Sequence, residues 1–258
     1  KIPESKWPLF DEYRVSDQLQ QFRRYRALGI NLSGRQTLSE QEATWAGSKD
    51  RWAIFLPDVK TIEVAALEAL TKNQVMIFRL GITELTKELA LILAKLKSER
   101  IELPALRSVS AEAIEPLLKW KSTTWGYKTN SISRVHLGIE SLTDPQVARA
   151  IASSTWDGVG FPNLKEVSPE ALKELVTFNG SRMALPVTGA PPVMQALGDW
   201  GGGNLTLLGN GPVNPASIQA LAKWQGSWIT FRGLKHISPA ALQAFDGQRL
   251  SLSFVSLE

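Results

Sequence analysis

VGFPNLKEVSPEALKELVTFNG, residues 159–180, reads as one complete structural unit. Its opening places Val159 and Phe161 two residues apart, the period that puts both large side chains on one face of a strand. Leu164 follows in a turn as one further apolar residue, and then comes Ser168-Pro169-Glu170. A serine oxygen accepts from a backbone amide that the first helical turn leaves unpaired, and proline suits the next position, where no amide donor is needed. The segment therefore predicts strand, turn and helix in that order. The same order returns in ITFRGLKHISPAALQAFDGQ, residues 229–248, where Ile229, Phe231, Leu234 and Ser238-Pro239-Ala240 take the matching places while the surface residues differ.

Working outward, an apolar residue at the same point of this pattern occurs nine times, at Leu38, Ile62, Leu85, Val109, Leu142, Val167, Ala190, Val213 and Ile237. The intervals are 23 to 25 residues, apart from one of 33 between Val109 and Leu142. A fixed period of this length signals units that pile against one another, because none can bury its apolar face alone. Helix starts recur at Thr143-Asp144-Pro145, Asn214-Pro215, Ser110, Thr86 and Ser39. The helices are expected to end near Gly47, Gly180, Gly226 and Gly247, with glycine in the left-handed C-terminal conformation. Leu96, Trp120, Phe178 and Trp224 lie eleven residues after their anchors, and Trp200 ten. A position that accepts Leu, Phe and Trp in turn is an interior packing position.

The unit resembles that of the leucine-rich repeat proteins, and within them the bacterial, surface-antigen-like forms that read roughly L-x-L-x-x-L-x-x-I-S-P-E-A-x-x-A-L. The resemblance covers about residues 29–258. Where the commoner consensus carries asparagine in the turn, this chain has Leu106, Leu164 and Leu234, or Val59 and Val187; Leu56-Pro57, Leu103-Pro104 and Phe161-Pro162 fit the bacterial comparison. The resemblance implies an α/β solenoid, a curved stack with parallel strands on its concave side and short helices on its convex side. It implies no one ligand.

Residues 1–28 fall outside the register. SDQLQQFRRYRAL (16–28) has helical spacing, with Leu19, Phe22, Tyr25 and Leu28 on one side, and is expected to cap the first repeat. Residues 29–258 then form about nine repeats plus a terminal strand that begins near Leu250 and Leu252. The long interval holds an insertion near 121–133, KSTTWGYKTNSIS, whose Trp125, Tyr127 and Lys128 would make a contact patch on the edge of the array.

Composition excludes several function classes. The 258 residues carry 29 basic and 25 acidic side chains, a formal charge of +4, with no dense Lys/Arg run interleaved with aromatics, which argues against nucleic acid as the partner. No apolar stretch approaches the ~20 residues of a membrane span. Zero cysteines remove disulfides and thiolate chemistry. The two histidines, His136 and His236, fall in repeats far apart, so no shared metal and no cofactor is expected. The Gly201-Gly202-Gly203 run lacks the Lys-Ser/Thr of a phosphate loop and reads as a turn. A start at Lys1 rather than Met is what a removed export signal would leave, and the chain is expected outside the cytoplasm.

Strand residues between the buried ones should form columns on the open face. The central column is Asn31, Phe55, Arg79, Glu102, His136, Gly160, Ala184, Thr206, Thr230 and Ser251, and charge gathers in its middle at Arg79, Glu102 and His136, with Arg134 and Arg182 beside them. Trp228 is the tryptophan best placed to face the groove. Arginine forks suit carboxylates, so a short polar or acidic segment would dock there. These residues, with the insertion loop, point to a noncatalytic recognition or scaffold protein whose partner is a protein or peptide, a surface polysaccharide being the other candidate. The alternative is the recognition domain of a larger enzyme or signalling protein.

Overall fold

The computed structural model describes residues 29–47, 53–72, 74–122, 134–186, 191–209, 215–232 and 251–255, together with Pro239, Gln243 and Phe245. The expected N-terminal cap (1–28), Trp125, Tyr127 and Lys128, the anchors Ala190, Val213 and Ile237, and His236 all lie outside the described residues.

Strands and helices alternate: β1 (Ile30–Asn31), α1 (Glu40–Gly47), β2 (Ala53–Leu56), α2 (Val64–Leu70), β3 (Ile77–Leu80), α3 (Lys87–Leu93), β4 (Arg100–Leu103), α4 (Ala111–Leu118) and β5 (Arg134–Leu137). They continue with β6 (Ser141–Leu142), α5 (Pro145–Ala152), β7 (Gly158–Gly160), β8 (Glu166–Val167), α6 (Pro169–Leu175), β9 (Arg182–Pro186), α7 (Pro191–Leu197), β10 (Asn204–Leu208), α8 (Pro215–Ala220), β11 (Trp228–Arg232) and β12 (Ser251–Val255). Ten of the strands form one sheet in the order β1-β2-β3-β4-β5-β7-β9-β10-β11-β12, so neighbours in the sheet follow one another in the chain, and every pairing is parallel. Parallel neighbours need a crossover, and the intervening helix supplies it. β6 and β8 make a second, two-stranded parallel pair at the helix side of the turns.

The helices begin where side-chain oxygens can cap them. Thr86, Ser110 and Ser168 accept from the amides of Leu89, Ala113 and Ala171 at 3.1–3.3 Å, and Asp144 accepts from Gln146 at 2.8 Å. Ser39 accepts from the Glu42 amide while its own amide donates to the Glu42 carboxylate at 3.0 Å, a reciprocal box. The helix of seven residues at α2 has no such cap: Glu63 precedes it with no side-chain bond.

Each unit places one strand face and one helix face on a common interior. Ile54, Phe78, Ile101, Val135, Val159, Met183, Leu205 and Ile229 follow one another across the sheet, all 3% exposed or less. Leu38, Leu85 and Leu142 are buried among the anchors, and Ile62, Val109 and Val167 pack against the same core from its edge. One continuous apolar cluster runs from Ile30 to Phe245. The turn residues Val59, Leu106 and Leu164 are part of it, in place of a polar ladder.

The interior packing position is as expected: Leu96, Trp120, Phe178, Trp200 and Trp224 are all buried. Its tryptophans also tie units together, because the Trp120 indole donates to the Leu96 carbonyl at 2.8 Å and that of Trp200 to the Phe178 carbonyl at 3.0 Å. Trp200 and Trp224 stack with centroids 6.2 Å apart. Trp156 is buried too, donating to the Leu117 carbonyl at 3.0 Å.

Of the glycines expected as left-handed helix ends, Gly47 is the last residue of α1, Gly247 lies outside the described residues, and none of Gly47, Gly180 and Gly226 takes the left-handed conformation. Among the described residues Gly34 alone has positive φ, and the helix ends at Thr71, Ala94, Lys119 and Val176 stay right-handed. Gly180, Gly202 and Gly226 each follow a buried aromatic by two residues, and a β-carbon there would sit 2.2, 1.9 and 1.9 Å from the rings of Phe178, Trp200 and Trp224. The aromatic folds back over the chain that leaves it, and only a residue without a side chain fits beneath. Gly81 and Gly138 are held similarly, against the carbonyls of Pro57 and Pro104 in the preceding unit.

Two adjacent glycines should consequently respond in opposite ways. Gly202→Ala is expected to lower unfolding free energy by about 1–3 kcal/mol through overpacking, whereas Gly201→Ala, with nothing within 4 Å of its β-carbon, should stay within about 0.5 kcal/mol of the parent. Urea melts of the two variants measure the difference.

Candidate functional site

The register across the sheet puts Asn31, Phe55, Arg79, Glu102, His136, Gly160, Ala184, Thr206 and Thr230 in one column, as expected from the sequence. The last member is Ser253, not Ser251. The register pairs Leu252 with Ile229 and Phe254 with Phe231, which puts Ser253 opposite Thr230 and Ser251 opposite Trp228.

The insertion does not disturb this order. Ile101 pairs with Val135 and Glu102 with His136, so the two strands on either side of it in the chain meet in register.

A second column runs Ala53, Ile77, Arg100, Arg134, Gly158, Arg182, Asn204, Trp228 and Ser251. It brings Arg134, Arg182 and Trp228 into one row. Sequence reasoning missed Arg100, which the same row contains. The signal was available: Arg100 precedes Glu102 by two residues just as Arg134 precedes His136. Among the described residues Trp228, at 47% exposure, is the one tryptophan in the set of large exposed apolar side chains.

Glu102 is the centre of the charged group. Its carboxylate is almost fully covered, and it accepts from Arg79 Nε at 2.6 Å and from Arg100 Nη1 at 3.3 Å. Burial on its own would raise the Glu102 pKa; His136 in its protonated form, the charges of Arg79 and Arg100 and the Arg79 hydrogen bond outweigh it and hold the carboxyl below its ordinary value. Arg79 is itself fixed from below, its guanidinium lying 5.5 Å over the Phe55 ring.

His136 Nδ1 stands 3.8 Å from Glu102 Oε1, too far for a hydrogen bond. Its imidazole lies on β7, where a β-carbon at Gly160 would come within 2.8 Å of the ring. Burial, then Arg100, Arg134 and Arg79, lower its pKa to about 4 against the pull of Glu102. It is neutral at physiological pH, and Glu102 is already committed to arginine. The two adjoin as expected, but Glu102 is a charge anchor rather than a base.

Arg134 and Arg182 flank the other glycine of β7. A β-carbon at Gly158 would lie 3.1 Å from Arg182 Cβ and 3.5 Å from Arg134 Cγ. Both residues are half-buried, and their Nε donors have no hydrogen-bond partner among the described residues. Burial, then Arg100 and Arg182, lower the Arg134 pKa to about 10, with Glu99 and Asp157 opposing. The Arg182 pKa is lowered by burial, against the pull of Asp157, with Arg100 adding to the fall. Both remain cations at neutral pH.

At the edge of the sheet a shallow groove of about 470 Å³ is lined by Lys60, Thr83, Pro104, Ala105, Leu106, Arg107, Gly138, Glu140 and Asn163. The Asn163 amide bridges two units there, donating to the carbonyls of Pro104 at 2.9 Å and Gly138 at 3.2 Å. Among the described residues no three His, Asp or Glu side chains gather as a metal site, and no helix is long and apolar enough to cross a membrane. The chain matches no protein-family model and no curated protein.

The two central pKa shifts have the same sign in folding. His136 binds its proton less readily when folded, so its contribution is complete above about pH 6.5 and is lost as the pH falls toward about 4. Glu102, also depressed, adds a loss that begins below its ordinary value of 4.5. Acidification from pH 7 to 4 should therefore destabilise the protein, with at most about 3 kcal/mol from His136, and His136→Asn should flatten the upper part of that profile in pH-dependent urea melts.

Proposed function

We propose that this chain is a noncatalytic recognition protein, built as a leucine-rich-repeat solenoid, that holds a protein or peptide segment against the concave face of its parallel sheet. The observation that carries the reading is the asymmetry of the two sheet faces. One is continuously apolar and lies under the helices. The other carries Arg79, Glu102, His136, Arg134 and Arg182 at its centre and then turns small and uncharged through Gly160, Ala184, Thr206 and Thr230.

Holding four arginines and one covered glutamate on a sheet face contributes little that an apolar or neutral surface would not give more simply. Such a surface does suit a ligand that brings polar groups of its own, and the even floor beside it suits an extended chain. Glu102, tied to two arginines, sets their positions. The insertion loop with Trp125, Tyr127 and Lys128 belongs to the same reading as an edge contact, because in the chain it immediately precedes β5, the strand of Arg134 and His136.

Because Arg79 neutralises a covered carboxylate, truncating it confuses folding with binding. Added bulk is the cleaner test. The paired variant Ala184→Trp, Thr206→Trp alters two half-buried open-face positions and leaves the core untouched. Peptides selected from a random display library on the parent protein should lose at least about tenfold in affinity for this variant at an unchanged melting temperature. Equal affinity in a folded variant rejects the open face as the binding surface.

A further inference from the structure

Resting on that reading, we infer that the guanidinium groups of Arg134 and Arg182, which stand on either side of Gly158, seat a side-chain carboxylate of a peptide whose next anchor, an apolar residue about four positions away, packs on Trp228. The stems of the two arginines meet over Gly158, where a β-carbon would lie 3.1 Å from Arg182 Cβ and 3.5 Å from Arg134 Cγ, and the Nε donors of both have no hydrogen-bond partner among the described residues. Three adjoining strand positions therefore read Arg-Gly-Arg across the sheet, at Arg134, Gly158 and Arg182.

The charges around this arginine pair are unevenly matched. Arg100 is occupied by Glu102, at 3.3 Å. Neither Arg134 nor Arg182 has a carboxylate oxygen within 4 Å among the described residues, although Glu99 and Asp157 contribute to the field around Arg134 and Asp157 to that around Arg182. The insertion that precedes Arg134 does not add one, because TTWGYKTNSIS, residues 123–133, contains no Asp or Glu and contributes Lys128 instead. Two half-buried guanidinium groups held side by side repel each other and have given up part of their hydration. A carboxylate entering between them would relieve both costs and accept from planar donors suited to its shape.

The length of the occupant follows from the row itself. Trp228 is three strands beyond Gly158, through Arg182 and Asn204. At about 4.8 Å per strand that is roughly 14 Å, or about four residues of an extended chain. An exposed tryptophan there gives an apolar side chain a rigid surface at small entropic cost. An inorganic anion would use the arginine pair and nothing else of this row, which is why a peptide fits it better.

The test uses the full chain and a seven-residue peptide of serine and glycine bearing one glutamate and, four positions later, one phenylalanine, capped at both ends and labelled for fluorescence anisotropy. Companion peptides replace the glutamate by glutamine, the phenylalanine by alanine, or the glutamate by phosphoserine. Binding of the first peptide, weakened at least about tenfold by either neutral replacement and by Arg134→Gln, Arg182→Gln or Trp228→Ala, is the expected result. Arg149→Gln, whose arginine pairs with Glu174 on the helix side, should leave it unchanged. Arg182→Lys keeps the charge and removes the fork; it should fold like the parent and still bind more weakly. Failure of the folded parent to bind, or binding indifferent to Arg134 and Arg182, overturns the inference. Tighter binding of the phosphoserine peptide overturns the carboxylate assignment. None of these outcomes touches the broader reading, which stands or falls on the open-face tryptophan variant and the library-selected peptides.

Discussion

A strand of four residues and a helix of seven cannot fold by themselves: so short a helix is marginal in water, and so short a strand has no partner of its own. Every unit of this chain depends on the unit before and after it. The dependence is physical at three points, namely the parallel backbone pairing between strands, the aliphatic side chains that close one interior under the helices, and the aromatic position, where the Trp120 and Trp200 indoles donate to a carbonyl of the preceding unit. Each buried Leu, Ile or Phe contributes about 1.5–3 kcal/mol, a return available only once a neighbour is present to cover it. Ion pairs between neighbouring helices, such as Arg149 with Glu174 at 2.7 Å, lie at the surface and add little.

That constraint also shapes the open face. Strands locked in register by their buried residues have no freedom in how their other side chains line up, so residues far apart in the chain become neighbours at strand spacing. Arg79, Glu102 and His136 meet in this way, and so do Arg100 and Arg134, with Arg182 in the same row one strand beyond Gly158. β7 is the exception that gives the face relief. With glycine at 158 and 160 it presents no side chains outward, and the imidazole of His136 and the stems of Arg134 and Arg182 occupy the vacated surface.

The proposed role follows from this relief and not from any reactive group. Glu102 is held ionised by two arginines and His136 is held neutral by burial and its cationic neighbours, so the pair positions charge rather than moving protons. What remains outward is a short row of cations beside a flat neutral floor, with Trp228 at one end.

The sequence by itself determined the period, the order strand, turn and helix, the capping residues and the central column through Thr230, because all of these follow from local chemistry repeated at a fixed interval. Ser168-Pro169 caps a helix wherever it occurs, and an alternation such as Val159 and Phe161 buries the same face in every copy. Only the tertiary structure decided the rest. That Arg100 joins the arginine row, that Ser253 rather than Ser251 ends the column, and that Gly180 and Gly226 lie under aromatic rings instead of ending helices in the left-handed region all depend on contacts that no local pattern contains. Local propensity cannot report those contacts, because register and close packing are set between segments two dozen or more residues apart, by the shared interior that no single unit contains.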